Sequence, residues 1–110
     1  MRRLAFLLFA AAIVSPAFGQ QALDLFTRPD KGYCISCHQL PAGVGPEVLN
    51  DVGPRLEGSR MKTLGQDRIR EIIDDATKAN PDSVMPPFGR HRILDAREIS
   101  RLAEFLIALP

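Results

Sequence analysis

Between Gln66 and Ala79 the apolar residues Ile69, Ile72, Ile73 and Ala76 recur at helical spacing, while Arg68, Arg70, Glu71, Asp74 and Asp75 take the opposite face. That pattern predicts an amphipathic helix, stopped by Asn80-Pro81. A second helix opens at Asp95, where Glu98 three residues on makes a variant of the capping box. Ile99, Leu102, Ala103, Leu106 and Leu109 form its buried stripe, with Phe105 at the border. Upstream the rhythm is lost. Gln39 to Gly58 carries Pro41, Gly43, Gly45-Pro46 and Gly53-Pro54 with no period, which predicts an ordered loop. Ala22 to Phe26 is a short apolar-flanked piece. Pro29 beyond it suits the first turn of a helix and not its interior, so a helix from about Pro29 through His38 is expected. The chain shows no repeat, low-complexity tract or convincing strand, and its predicted class is all-α.

The first nineteen residues read as a leader. Arg2 and Arg3 make a positive start, Leu4 to Val14 are apolar throughout, and Ala17-Phe18-Gly19 supplies small residues for cleavage. Eleven apolar residues fall short of the roughly 20 that span a bilayer, so a Sec-type signal cut before Gln20 is favoured over an uncleaved anchor. Residues 20–110 then form one domain in the periplasm, with no stable membrane anchor. Loss of Arg2 and Arg3 would leave twelve basic against thirteen acidic residues, a formal charge of −1. That balance argues against nucleic-acid binding, which wants a clustered basic surface. A domain of this size has a marginal core of its own.

The chemistry is concentrated in Cys34-Ile35-Ser36-Cys37-His38. Two cysteines two residues apart with histidine next spell the attachment site of c-type haem. Each thiol adds to one porphyrin vinyl group, and one helical turn sets the two sulfurs at the matching separation. His38 then aims a ring nitrogen at the iron. No other cysteine is present. A redox dithiol would want a thioredoxin-like βαβ pattern, and a zinc site a second ligand pair; neither is visible. One covalently bound haem c would also supply the missing apolar centre, with the Gly/Pro-rich loop wrapping its edge.

An electron carrier needs a second axial ligand. Met61, Met85 and His91 remain after cleavage. Met85 stands in Ser83-Val84-Met85-Pro86-Pro87-Phe88-Gly89, where prolines fix an extended loop that can hold a side chain over the ring face. Met–His ligation raises the potential and closes the iron to substrates. Met61 reads as a core gap-filler, and His91, between Arg90 and Arg92, as a solvent-facing side chain. Because His38 needs its other nitrogen tied down, a carbonyl of the Gly-Pro loop is expected there, with Pro54 preferred. Arg60, Arg90 and Arg92 are candidate partners for the propionates, with Arg60 preferred.

Cys34 to His38, together with Gly53-Pro54-Arg55-Leu56-Glu57-Gly58 and Arg60, resembles the class I cytochromes c. The resemblance implies a small fold of three or so helices and Gly/Pro-rich loops around one haem. The run Asn80 to Leu94, closed by Glu98-Ile99 and Phe105-Leu106, is similar to the SoxX family of small monohaem cytochromes. That likeness implies a larger SoxA-type haem partner, a SoxYZ-type carrier and a downstream cytochrome acceptor. The complex would act as an L-cysteine S-thiosulfotransferase, joining thiosulfate to a carrier cysteine. It implies catalysis in the partner and electron acceptance here, with Cys34 and Cys37 binding haem and His38 and Met85 axial. A free-standing soluble electron carrier is the competing reading. Only fourteen residues separate Gln20 from Cys34, so the N-terminal helix that crosses the C-terminal one in this class is expected to be abbreviated, or completed by a partner.

Overall fold

Asp95 and Glu98 fix where the longest helix among the described residues begins. The Asp95 carboxylate accepts from the Glu98 amide at 2.8 Å, and the Glu98 carboxylate accepts from the Asp95 amide at 3.1 Å, a reciprocal capping box. The computed structural model describes residues 17–110. The charged start and apolar run of the predicted leader therefore lie outside the described residues.

Among the described residues four α-helices follow in chain order: α1 (Ala17–Thr27), α2 (Gly58–Leu64), α3 (Gln66–Asp75) and α4 (Ala96–Ile107), with 3₁₀ turns at Cys34–Ser36 and Ala76–Lys78. No strand occurs among the described residues. This is the all-α class expected from the sequence. The expected α4 is present with its predicted stripe buried, and the expected α3 begins at Gln66.

Three expectations need correction. The helix expected from Pro29 to His38 does not form. Instead α1 ends at Thr27, Pro29 lies in the turn after it, and the cysteine motif begins on a 3₁₀ turn. Thr27 closes α1 by donating from its hydroxyl to the Leu23 carbonyl at 2.9 Å. Nor does α3 run on to Ala79: it ends at Asp75, and a 3₁₀ turn follows. The crossing of α1 with α4 is made by an α1 of eleven residues. Phe26, 1% exposed, meets Phe105 of α4 with ring centroids 6.4 Å apart at 56°, a tilted pair within the favourable range. Finally, Asp75 is buried and not on the solvent face of α3.

The short α2 is an addition to the sequence reading. Met61 anchors it as a buried core residue. Gly58 starts it, donating its amide to the Pro110 carbonyl at 2.8 Å. A Cβ at Gly58 would run into the Leu109 carbonyl, so only glycine permits this approach. Phe26, Ile35, Leu40, Leu56, Met61, Ile69, Phe88, Leu94 and Leu102 share one core, against which Cys34 and Met85 pack half-buried.

Candidate haem site

The cysteine motif is wound into one tight turn. The Cys34 carbonyl accepts from the Cys37 amide at 3.1 Å and the His38 amide at 2.8 Å. Tyr33 enters this turn in the left-handed region at φ 47°, and its carbonyl accepts from the Ser36 amide and hydroxyl at 3.0 and 2.7 Å. Left-handed backbone costs a residue with a Cβ about 1–2 kcal/mol, so the turn is held against strain. Glycine precedes it for lack of space: a Cβ on Gly32 would stand 2.8 Å from Cys34 Sγ.

Cys34 and Cys37 are free thiols. Burial pushes the Cys34 thiol up to about 12. A redox dithiol works as a thiolate, a form that the burial of Cys34 opposes. Among the described residues no group of three or more His, Cys, Asp or Glu side chains is placed to hold a metal ion.

The loop after the motif closes on His38. Leu56 donates its amide to the Gln39 carbonyl at 3.0 Å and Gly53 to the Cys37 carbonyl at 2.8 Å. Asn50 Nδ2 donates to the Ile35 carbonyl at 2.5 Å. These bonds press Gly53 onto the imidazole, where a Cβ would stand 2.7 Å from Nδ1 and 2.8 Å from Nε2. His38 Nδ1 meets the Pro54 carbonyl at 2.7 Å. A carbonyl can only accept, so Nδ1 carries the proton and Nε2 keeps the free lone pair that a metal needs.

Met85 lies half-buried against the core, its amide donating to Ser83 Oγ at 3.3 Å. Pro87 and Phe88 beyond it are buried. His91 is exposed. Arg60 stands exposed on α2 and makes no ion pair with the described residues. Arg90, a propionate candidate in the sequence, pairs instead with Asp75 at 3.2 Å. Thus Cys34, Cys37, His38 and Pro54 are brought together, Met85 shares their core, and Arg60 is apart on its own helix. An open groove of about 800 Å³ lies elsewhere, between α3 and the start of α4, and is lined in part by Arg70, Asp74, Arg92 and Ser100.

The family model described as cytochrome C oxidase, cbb3-type, subunit III matches residues 21–106. The chain belongs to this family of c-type cytochrome domains. No curated protein and no solved structure matches it. A cytochrome c domain carries haem c and transfers electrons. The residues present fit that group. Gly53 and Pro54 hold His38 with Nε2 free, two unpaired thiols stand one turn away, and a thioether is available from Met85. No helix among the described residues is long and apolar enough to cross a membrane.

Proposed function

We propose that this chain is a periplasmic monohaem cytochrome, exported by its leader, and the electron-accepting, SoxX-type subunit of a thiosulfate-oxidising complex. The observation that carries the cytochrome reading is the clasp on His38, with Pro54 fixing Nδ1 and Gly53 pressed to the ring. Cys34 and Cys37 would hold the haem covalently through their sulfurs, and His38 and Met85 would be the side chains that ligate its iron. Bound there, haem c supplies a one-electron couple, and Met–His ligation leaves no position for substrate. Catalysis, the joining of thiosulfate to a carrier cysteine, then belongs to a larger SoxA-type subunit.

The subunit reading draws on the run Asn80 to Leu94 and on exposed apolar side chains near Met85 and His38. Val84, next to Met85, is 83% exposed; Leu49, in the loop that clasps His38, is 86% exposed. Such side chains favour a lasting partner over a charged docking rim.

The test is size-exclusion chromatography of a periplasmic extract, with each fraction run on a denaturing gel and stained for haem. A small haem band that survives denaturation and co-elutes with a larger one is expected. A small band eluting alone would leave a free electron carrier. Absence of covalent haem, or its persistence in a Cys34→Ala, Cys37→Ala double variant, would overturn the site.

A further inference from the structure

The chain beyond Met85 returns to the end of α3 and is held there in three ways. The amides of Gly89 and Arg90 both donate to the Asp74 carbonyl at 3.2 Å. Gly89 approaches so closely that a Cβ would stand 3.0 Å from the Asp74 Cα and collide with its carboxylate. Arg90 Nη1 reaches Asp75 Oδ2 at 3.2 Å, and the Asp75 side chain is only 2% exposed. Oδ1 of the same carboxylate accepts from the Thr77 amide at 3.1 Å and from the Thr77 hydroxyl at 2.5 Å.

A buried carboxylate is costly unless paired, and an apolar residue could close this end of α3 at less cost. What the charge adds is register. Asp75 ties the 3₁₀ turn through Thr77 and the returning chain through Arg90. The segment between those two attachments contains Met85. Within it the Asp82 amide donates to Asn80 Oδ1 at 3.2 Å, and the Ser83 amide to the Asn80 carbonyl at 2.9 Å. Pro86 and Pro87 stiffen the far side. The loop is thus fixed at its start by Thr77 and Asn80 and at its return by Asp74 and Asp75.

We propose that Asp75 is a positioning residue for Met85: by holding Arg90 it keeps the Met85 loop closed and sets how readily the thioether leaves the metal. This rests on the reading that Met85 is the axial ligand. The charged groups around the Asp75 carboxylate are Arg90 from the returning chain and Lys78 from the 3₁₀ turn, with Asp74 beside it carrying its own pair to Lys78 at 3.7 Å.

The test is titration of the oxidised holoprotein with imidazole, which binds where Met85 has left, read by loss of the far-red Met–iron absorption band. Asp75→Asn keeps the shape and the acceptor for Thr77 while removing the charge. Arg90→Gln breaks the same pair from its exposed side, where misfolding is not at issue. Each is expected to tighten apparent imidazole binding about tenfold, and the double variant no more than either single change, as coupled partners require. Leu106→Ala in α4 lowers overall stability without touching the pair and should leave imidazole binding near that of the wild type.

Wild-type imidazole binding in both single variants, or additive effects in the double variant, would overturn the proposal. Equal tightening in Leu106→Ala would reduce Asp75 to a general stabiliser and overturn it too. If the wild type lacks the far-red band, or Met85→Ala retains it, the ligand reading itself fails and the proposal falls with it. A wild-type band that Met85→Ala abolishes isolates the outcome to Asp75.

Discussion

The Pro54 carbonyl accepts a 2.7 Å hydrogen bond from Nδ1 of His38, sixteen residues earlier in the chain. The bond exists because the Gly/Pro-rich loop is pinned at both ends. Its amides at Gly53 and Leu56 return to Cys37 and Gln39, and Pro54 has no amide to spend elsewhere. A ring so held has one tautomer and one orientation, the condition for a metal-binding histidine.

Gly53→Ala tests that clasp. Gly53 needs no unusual backbone, so its replacement acts through space: the new methyl group must share volume with the His38 ring. Overpacking of this kind costs about 1–3 kcal/mol. The holoprotein should unfold at correspondingly lower denaturant. Its reduction potential should rise, because a lengthened Nδ1–Pro54 bond makes the imidazole a weaker donor. Unchanged stability and potential would mean the loop yields freely and does not orient the ring.

Phe26 and Phe105 carry the crossing of α1 and α4. Phe26→Ala removes a ring that is 1% exposed and should cost about 3–5 kcal/mol. Phe105 is only half-buried, so Phe105→Ala should cost less. A double-mutant cycle in chemical denaturation should give a coupling of about 0.5–1.5 kcal/mol. Zero coupling would show that the 6.4 Å pair is proximity without preference.

What the sequence reveals of this fold follows from how local each signal is. The spacing of Ile69, Ile72 and Ile73 locates α3, and Asp95 with Glu98 locates α4, because helix periodicity and capping are written within a few residues. The Pro54 acceptor is legible because a histidine in a haem motif needs one and a Gly-Pro loop follows. α1 is hidden because its apolar residues continue the leader's composition, and Pro29 reads as a start when it marks a turn beyond an end. α2 is seven residues long and is held through tertiary contacts, Gly58 against Pro110 and Met61 in the core. Asp75 reads as a solvated charge and Arg90 as a candidate propionate partner. Their pairing joins positions fifteen residues apart, which no local rule foresees.

The α4 start also ties to the turn that precedes the cysteine motif, since Lys31 Nζ reaches Glu98 Oε2 at 2.9 Å. Asp95→Ala should cost about 0.5–2 kcal/mol through the lost cap. Glu98→Gln keeps the reciprocal cap and removes only the charge facing Lys31. It should therefore cost less than Asp95→Ala, and its effect should shrink in high salt. Denaturant midpoints of the two variants at low and high ionic strength separate the roles. Equal costs with equal salt dependence would show that capping and ion pairing are not separable here.

Asp75 also predicts how stability depends on pH. The Thr77 hydroxyl holds its carboxyl below the usual carboxylate range against the opposing effect of burial, and the Thr77 amide, Arg90 and Lys78 add to the lowering. A folded pKa below the ordinary 3.8 means the unfolded chain takes up the proton first. The stability Asp75 contributes is therefore complete above that ordinary value and is lost as pH falls through the folded one. Wild type and Asp75→Asn should differ in denaturant midpoint by the same margin across neutral and mildly acidic pH. The margin should close only below about pH 4, where the wild-type carboxyl is neutralised. Guanidinium unfolding of both proteins through that range decides the matter. A margin that persists unchanged to the acid end would mean Asp75 acts through shape and hydrogen bonding alone, and that its charge does not hold Arg90.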